Sequence, residues 1–364
     1  MRNIVNKPFY SKLREIEIEN SGICNAACPQ CVREIYPGDH SWFEEKYLAV
    51  DFFDRIPDTV YQDLELIRFA GTIGDPCAAP NFIEVVGHVR TKGSFKIHVS
   101  TNGGMKSAAW WASLAKALGP DNTVQFALDG LDDTNDIYRV NVRWNKVMEN
   151  IRSFIAAGGS ADWQYIVFKH NEHQVDQARQ LAAELGFKNF IVKPSHRFFL
   201  DELFGVQRYG RDSILIEPPT ETHVHKVVLQ TKPLDLDTWF QKSEHTCVEC
   251  YAKKDRAAYI DYLGHLWPCC YLGAGLWVRH GRKFPDGWDK LWASTGGELI
   301  DLHKKNWNDV IAGDFFNGIS ASWNSDYPNG RLATCAGTCS SFDGRYNDPA
   351  EFDVLDVTTL SPKS

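Results

Sequence analysis

The sequence lacks any long apolar run. No stretch approaches the ~18 consecutive apolar residues that a membrane-spanning helix requires, although 43% of the 364 residues are hydrophobic. The first seven residues also contain no apolar core of the kind that a signal peptide needs. We therefore expect a protein that does not associate with a membrane and that resides in the cytoplasm.

A basic run and an internal repeat are absent as well. The chain carries 39 lysine and arginine residues against 47 aspartate and glutamate residues, so its formal net charge is -8. This balance disfavours a nucleic-acid-binding surface, which needs clustered positive charge. There is no solenoid-type period and no low-complexity segment, and 24% of the residues are charged, as in globular proteins. The length predicts about two domains with ample core.

Ten cysteines are present, and their spacing is uneven. The cytoplasm keeps thiols reduced, so these residues indicate metal ligands or catalytic thiols and not disulfides. Cys24, Cys28 and Cys31 lie within eight residues, directly after a predicted strand. Three soft donors with no fourth nearby leave an iron-sulfur cluster one open coordination position, whereas structural zinc sites and electron-transfer clusters normally use four protein ligands. The triad alone leaves a zinc knuckle and a half-ferredoxin motif as alternatives.

Strand and helix patterns alternate through the first half of the chain. Apolar residues recur with period two or in short runs, and then at helical spacings of three and four. The predicted strands are residues 13–19, 64–70, 95–99, 123–128, 163–169 and 189–193, and the predicted helices are residues 50–64, 81–90, 108–118, 144–155 and 173–185. Short connections between such units require parallel strands and right-handed crossovers. The sequence therefore predicts an α/β fold whose core is a partial, TIM-like (β/α)6 barrel.

The C-x3-C-x2-C spacing of Cys24, Cys28 and Cys31 resembles the signature of the radical S-adenosylmethionine (SAM) superfamily. In that superfamily the unique iron of a 4Fe-4S cluster chelates the amino and carboxylate groups of SAM, and reductive cleavage of SAM yields a 5'-deoxyadenosyl radical. The resemblance implies that the three cysteines hold this SAM-binding cluster. It also implies an enzyme that acts by hydrogen-atom abstraction and a reductant such as flavodoxin or ferredoxin.

Three further segments resemble SAM-binding positions of the superfamily, and each ends a predicted strand, where parallel barrels place their active sites. The segment 71–76 is similar to the glycine-rich turn whose backbone carbonyls bind the methionyl ammonium, with Asp in place of Glu. The segment 100–103 resembles the Ser/Thr-x-Asn-Gly motif near the ribose or carboxylate, and Asp129-Gly130 resembles a strand end of peptide-maturing members. Taken singly, such strings are also ordinary turn signals. The resemblance assigns SAM positioning to Gly71, Gly74, Asp75, Pro76, Ser100, Asn102 and Asp129.

Cys77 directly follows the glycine-rich turn. A thiol at this place could quench a substrate radical by giving up a hydrogen atom, which makes Cys77 a candidate catalytic residue. The alternative is a small, buried, apolar residue of the core.

A second group of cysteines lies in the C-terminal third of the chain. It resembles the SPASM/Twitch extension of radical SAM enzymes, because Cys250, Gly264 and Cys269 fit the half-motif C-x(9-15)-G-x4-C. A full SPASM domain would need three more cysteines than the sequence supplies. The resemblance therefore implies one auxiliary 4Fe-4S cluster, whose ligands are Cys247, Cys250, Cys269 and either Cys339 or Cys335, with Cys339 favoured by analogy. A structural zinc site of four thiolates is the alternative.

The patterns divide the chain into four parts. With the resemblance, we expect residues 1–195 to form the radical SAM core, residues 196–244 a connecting or substrate-facing segment, residues 245–345 a smaller auxiliary-cluster domain and residues 346–364 a C-terminal tail.

Relatives with SPASM-like domains mostly modify ribosomally made peptides or proteins by crosslinking, epimerisation, oxidation or excision of part of a tyrosine residue. The resemblance implies the same class of substrate here. The first predicted strand begins near residue 13, so we expect leader recognition by a separate partner protein. The alternatives are a radical SAM dehydrogenase or epimerase acting on a small molecule such as an aminoglycoside precursor, and a zinc-stabilised binding module without enzymatic activity.

Overall fold

The computed structural model describes residues 9–10, 12–35, 44–195, 204–206, 214–220, 247–273, 297–325, 330–339 and 353–357. Its centre is a run of six parallel strands, each hydrogen-bonded to the next in chain order. The strands are β1 (Glu15–Ile18), β2 (Leu66–Phe69), β3 (Lys96–Thr101), β4 (Thr123–Ala127), β5 (Ser160–Val167) and β6 (Asn189–Pro194). The α/β fold predicted from the sequence is confirmed.

Helices alternate with these strands along the chain. They are α1 (Val32–Ile35), α2 (Asp58–Asp63), α3 (Phe82–Arg90), α4 (Ala108–Leu118), α5 (Asn135–Tyr138), α6 (Trp144–Ala156) and α7 (Val175–Leu185). Burial alternates along β1 and β2, as expected where one face of a strand packs into the core. Ile16 and Ile18 of β1 are fully buried in the core, whereas Glu15 and Glu17, on the other face, are only half-buried.

The C-terminal part of the chain extends both edges of the same sheet. Strand β9 (Ala257–Ile260) runs parallel to β1, β10 (Leu266–Trp267) runs antiparallel to β9, and β11 (Asp353–Asp356) runs antiparallel to β6. The result is an open sheet of nine strands with β10 and β11 at its edges. Four helices accompany these strands: α8 (Tyr251–Asp255), α9 (Trp307–Ala312), α10 (Asp314–Ser322) and α11 (Ala333–Thr338).

Most of the segment 196–244 lies outside the described residues. Within it, β7 (Phe204–Val206) and β8 (Ile214–Ile216) form an antiparallel pair. None of the described helices is long and apolar enough to cross a membrane.

Two elements differ most from the sequence-based prediction. The helix expected over residues 50–64 is a 3-10 helix (Val50–Arg55) followed by α2, because Pro57 stands between them as the residue preceding α2. Strand β5 begins at Ser160 and not at residue 163, since its polar first residues still pair with β4 and Asn189 of β6 donates to the carboxylate of Asp162.

Candidate active site

A cavity of about 450 Å³ opens at the carboxyl ends of the six parallel strands. This is the end at which parallel barrels hold their active sites. Its wall comprises the cysteine triad, the loop after β2, the ends of β3 to β6 and one residue of the C-terminal segment: Cys24, Ala26, Cys28, Cys31, Ala70, Gly71, Thr72, Ile73, Gly74, Asp75, Ser100, Thr101, Asn102, Ala127, Tyr138, Arg139, Gln164, Ile166, Pro194, Ser195 and Tyr271. The structure therefore brings the triad together with five of the seven residues to which the sequence assigned SAM positioning.

Nitrogen donors contact two of the three sulfurs of the triad. The Cys24 Sγ accepts from the backbone N–H of Ala26 at 3.4 Å and from the Asn102 Nδ2 at 3.6 Å. The Cys28 Sγ accepts from the Arg139 Nη1 at 3.7 Å. Hydrogen bonds of this kind stabilise thiolate ligands and tune the potential of an iron-sulfur cluster.

The donor set fits an iron-sulfur cluster. Burial raises the pKa of the Cys24 thiol and raises that of Cys28 to about 11, so bound iron would supply the positive charge that a buried thiolate needs. Among the described residues, no three His, Cys, Asp or Glu side chains are arranged to hold a single metal ion. A cubane cluster has no such requirement, because each cysteine binds a different iron.

Two glycines are required by the packing of the turn after β2. A Cβ atom at Gly74 would lie 1.8 Å from the backbone oxygen of Ser21, and one at Gly71 would lie 1.8 Å from the backbone oxygen of Gly74. Neither position tolerates a side chain without movement of the backbone. The turn therefore lies directly against the residues that lead into the cysteine loop.

Asp75 fixes this turn to the end of β3. Its fully buried carboxylate accepts hydrogen bonds from the backbone N–H of Cys77 at 2.9 Å, from the Thr101 hydroxyl at 2.9 Å and from the backbone N–H of Asn102 at 2.8 Å. Burial raises the pKa of this carboxyl, and the three hydrogen bonds oppose the shift. Pro76 begins a short 3-10 helix, is buried and does not line the cavity.

The end of β3 presents polar groups to the cavity. The Asn102 Nδ2 donates to the Asn25 Oδ1 at 3.0 Å, and the Asn102 Oδ1 accepts from the backbone N–H of Gly104 at 2.7 Å. The Ser100 hydroxyl donates to the Gln125 Oε1 at 3.3 Å. These contacts hold the amide and the hydroxyl beside the triad.

Asp129 does not line the cavity; Arg139 does. The Asp129 side chain is completely buried, and its Oδ2 accepts from the Arg139 Nε at 2.7 Å while its Oδ1 accepts from the backbone N–H of Ile166 at 2.6 Å. The role of Arg139 could not be predicted from the sequence, because a lone arginine in a loop carries no signal of its charge partner. In the fold, Asp129 positions the guanidinium and Arg139 faces the cavity.

Cys77 lies outside the cavity. Its side chain is 1% exposed and belongs to the hydrophobic core, and burial raises the pKa of its thiol well above the usual range. This placement counts against an active-site thiol and favours the alternative of a small apolar core residue.

Four cysteines of the C-terminal segment surround a second, much smaller cavity of about 10 Å³. They are Cys250, Cys269, Cys335 and Cys339. Cys335 and Cys339 are four residues apart at α11, so they lie on one face, and the structure brings both of them to the cavity. Cys247, which was predicted as a ligand from the sequence, is exposed and does not line this cavity.

The thiols of this second site interact with one another. A hydrogen bond between the side chains of Cys250 and Cys339 lowers the pKa of Cys250 and raises that of Cys339. Burial raises the pKa of Cys269 to about 12. Four cysteines at one cavity are the donor types of an iron-sulfur cluster or of zinc, and no three of them are arranged to hold a single metal ion. Tyr271 lines this cavity and the large one.

Known proteins resemble the chain in sequence and in fold. Residues 18–182 match the family model described as "Radical SAM superfamily". The tungsten-containing aldehyde ferredoxin oxidoreductase cofactor-modifying protein of Pyrococcus furiosus is 23% identical over 267 residues, which are 71% of this chain and 71% of that protein.

Two solved structures superpose on most of the chain. SuiB of Streptococcus suis, bound to precursor peptide SuiA, gives a TM-score of 0.57 at 16% identity over 90% of this chain and 72% of SuiB. The structure of anSMEcpe with bound AdoMet gives a TM-score of 0.51 at 12% identity over 94% of this chain and 93% of that one. At such low identity the superpositions show the fold alone.

The family match contains the cysteine triad, the glycine-rich turn, Asn102 and Arg139, all of which meet at the large cavity. The match favours an enzyme over the alternative of a binding module without enzymatic activity. Residues 18–182 of the chain therefore match the radical SAM superfamily, which is a superfamily of enzymes.

Proposed function

We propose that this enzyme reductively cleaves SAM and uses the resulting 5'-deoxyadenosyl radical to modify a ribosomally synthesised peptide or protein. The observation that carries the proposal is the superposition on SuiB, a structure bound to a precursor peptide, which covers 90% of this chain. The class of modification includes crosslinking, epimerisation, oxidation and excision of a tyrosine fragment.

The residues of the large cavity have separate tasks in this proposal. Cys24, Cys28 and Cys31 would hold a 4Fe-4S cluster, which would supply an open iron for SAM and pass on the electron for its cleavage from a reductant such as flavodoxin or ferredoxin. The backbone carbonyls of the turn 71–74 accept hydrogen bonds from the methionyl ammonium. The guanidinium of Arg139 supplies positive charge for the SAM carboxylate.

Polar side chains complete the SAM site. Ser100 and Asn102 provide a hydroxyl and an amide at the rim of the triad for the ribose of SAM. Asp75 keeps the turn and the end of β3 together, and Asp129 keeps the guanidinium of Arg139 in place. The protein thereby orients the substrate against the reactive carbon and excludes water, while the cofactor performs the chemistry.

The second cysteine site is proposed to hold one auxiliary 4Fe-4S cluster of the SPASM/Twitch type. Its ligands in this proposal are Cys250, Cys269, Cys335 and Cys339, since these four surround one cavity. Compared with the ligands predicted from the sequence, this set leaves out Cys247, which is exposed, and includes both Cys335 and Cys339. Tyr271, which lines both cavities, would stand between this cluster and the substrate.

A second candidate is the modification of a small molecule or a cofactor. The observation that favours it is the likeness to the Pyrococcus furiosus protein, whose name describes it as cofactor-modifying. The same cavity and the same cysteine triad would serve this reaction. The two candidate functions differ in the substrate that would occupy the cavity beside SAM.

Anaerobic co-expression distinguishes the two candidates. The enzyme is produced with each neighbouring short open reading frame, with and without any neighbouring small leader-binding protein, and with flavodoxin or ferredoxin as reductant. Mass spectrometry of the peptides then compares the wild type with the Cys28→Ala variant. A mass change that only the wild type produces supports a peptide substrate. Unchanged peptides, together with a modified small molecule in the same cells, support the second candidate.

A further inference from the structure

A buried carboxylate accepts hydrogen bonds from the backbone of the turn 71–74, which is proposed to bind SAM. Glu19 follows β1 and is completely buried. Its Oε1 accepts hydrogen bonds from the backbone N–H of Ile73 at 2.6 Å and of Gly74 at 2.9 Å. One oxygen atom thus fixes two consecutive peptide groups of the turn whose carbonyls are proposed to bind SAM.

The other oxygen of Glu19 is held by the C-terminal segment. The Tyr259 hydroxyl, on β9, donates to the Glu19 Oε2 at 2.6 Å and lies 3.4 Å from the Thr72 hydroxyl oxygen. Tyr259 and Glu19 are 240 residues apart in the chain. Nothing in the sequence pattern connects them, and their contact arises because β9 pairs with β1.

The tyrosine ring has little freedom to move. Tyr259 is buried, and a Cβ atom at Gly273 would lie 2.5 Å from its Cε1. The backbone N–H of Gly273 donates to the carbonyl of Cys269 at 3.2 Å. The segment that carries a cysteine of the second site therefore packs directly against the ring that holds Glu19.

Burial makes these hydrogen bonds necessary. A carboxylate without solvent needs donors, and Glu19 has three of them within 3 Å. Burial raises the pKa of Glu19 to about 7, and the negative charge of the nearby Asp261 adds to this shift. The hydrogen bonds from Tyr259, Gly74 and Ile73 oppose it. Loss of the tyrosine hydroxyl would leave the Oε2 unsatisfied and the carboxylate free to shift.

We propose that Glu19 and Tyr259 are positioning residues for SAM: through them, the C-terminal segment sets the conformation of the turn 71–74 and hence the affinity for SAM. The inference rests on the proposed SAM site. It adds that the affinity of the core for its cofactor depends on a hydroxyl group supplied from β9.

Four variants of the full chain test this inference. Tyr259→Phe removes the hydroxyl, Glu19→Ala removes the acceptor, and Glu19→Gln keeps an oxygen acceptor for the turn. The matched control is Tyr61→Phe, because Tyr61 is also buried and its hydroxyl donates to the carbonyl of Phe53, a residue outside the turn 71–74. Each protein is reconstituted anaerobically with iron and sulfide. Calorimetry measures the dissociation constant for SAM, and the iron content and the thermal unfolding without SAM are measured alongside.

The expected result is a selective loss of affinity. Tyr259→Phe should raise the dissociation constant for SAM about fivefold and Glu19→Ala more than about tenfold. These changes correspond to the loss of the free energy of about one or two buried hydrogen bonds. Glu19→Gln should stay close to the wild type, and so should Tyr61→Phe, although the control loses a comparable hydrogen bond. A merely structural role would lower the unfolding temperature of Tyr259→Phe and Tyr61→Phe alike without separating their affinities.

The inference is overturned if Tyr259→Phe binds SAM as tightly as Tyr61→Phe at equal iron content. Should Glu19→Ala fail to fold, the comparison of Tyr259→Phe with Tyr61→Phe still decides. A wild-type protein that holds iron but does not bind SAM contradicts the proposed function itself, which is a different result from wild-type binding with unaffected variants.

Discussion

Asp129 and Arg139 form a buried ion pair whose carboxylate faces the protein core and whose guanidinium faces the large cavity. The Asp129 Oδ2 and the Arg139 Nε are 2.7 Å apart, and the two side chains are 0% and 13% exposed. The Arg139 Nη1 also lies 3.7 Å from the Cys28 sulfur. The pair therefore connects the end of β4 with the cysteine loop and fixes a positive charge beside the position proposed for the SAM carboxylate.

Substitution of Arg139 should change both the stability of the protein and its affinity for SAM, and a double variant separates these two effects. Arg139→Gln leaves Asp129 buried without its charge partner, which should lower the free energy of unfolding by about 3–5 kcal/mol. The double variant Asp129→Asn/Arg139→Gln should recover part of that stability, because the uncompensated charge is gone. Both variants should bind SAM at least about tenfold more weakly than the wild type. Chemical denaturation and calorimetry measure the two quantities, and wild-type affinity in the double variant would contradict the role given to Arg139.

Gly74 should not accept a side chain. In Gly74→Ala the new Cβ would meet the Ser21 carbonyl oxygen, so the turn must move and the dissociation constant for SAM should rise about tenfold. Gly87→Ala is the control, because a Cβ atom at this position of α3 meets nothing within 4 Å. It should stabilise the helix by up to about 1 kcal/mol and leave SAM binding unchanged. Equal SAM affinities for the two variants would show that the turn does not contact SAM.

The iron content identifies the ligands of the second cysteine site. Serine substitutions at Cys250, Cys269, Cys335 or Cys339 should each lower the iron content of the reconstituted protein by about half, since one of two four-iron clusters is lost. Cys247→Ser and Cys270→Ser should retain the wild-type content, because neither residue lines the small cavity. Loss of iron in Cys247→Ser, with retention in Cys335→Ser or Cys339→Ser, would restore the ligand set predicted from the sequence. Zinc in place of iron would support the structural zinc alternative.

Cys77→Ala tests the catalytic role that the sequence suggested for this thiol. Since the side chain is packed in the core, the substitution should reduce stability by about 1 kcal/mol and leave both SAM cleavage and product formation near the wild-type rates. Product analysis by mass spectrometry, alongside the yield of 5'-deoxyadenosine, measures both steps. A variant that cleaves SAM normally but forms no product would establish Cys77 as a hydrogen-atom donor.

Local patterns predicted most of the core from the sequence. The helix over residues 108–118 and the helix over 144–155 are found as α4 and α6 within one residue, because each has a continuous apolar face and a clear end. The positions of the cysteine triad, Gly74 and Asn102 at one edge of the sheet also followed from the order of the strands.

Contacts between distant parts of the chain could not be predicted in this way. The pairing of β9 with β1 and of β11 with β6 joins segments that no local pattern connects. Arg139 and Glu19 acquire their roles only through partners brought close by the fold. The convergence of Cys335 and Cys339 on one cavity likewise depends on how α11 packs.

The formation of 5'-deoxyadenosine tests the central claim most directly. The reconstituted protein is incubated anaerobically with SAM and dithionite, and the products are quantified by mass spectrometry, with Cys28→Ala as the variant that lacks one cysteine of the triad. We predict 5'-deoxyadenosine from the wild type and none from the variant. An iron-loaded wild type that yields no 5'-deoxyadenosine, or equal yields from both proteins, would contradict the account.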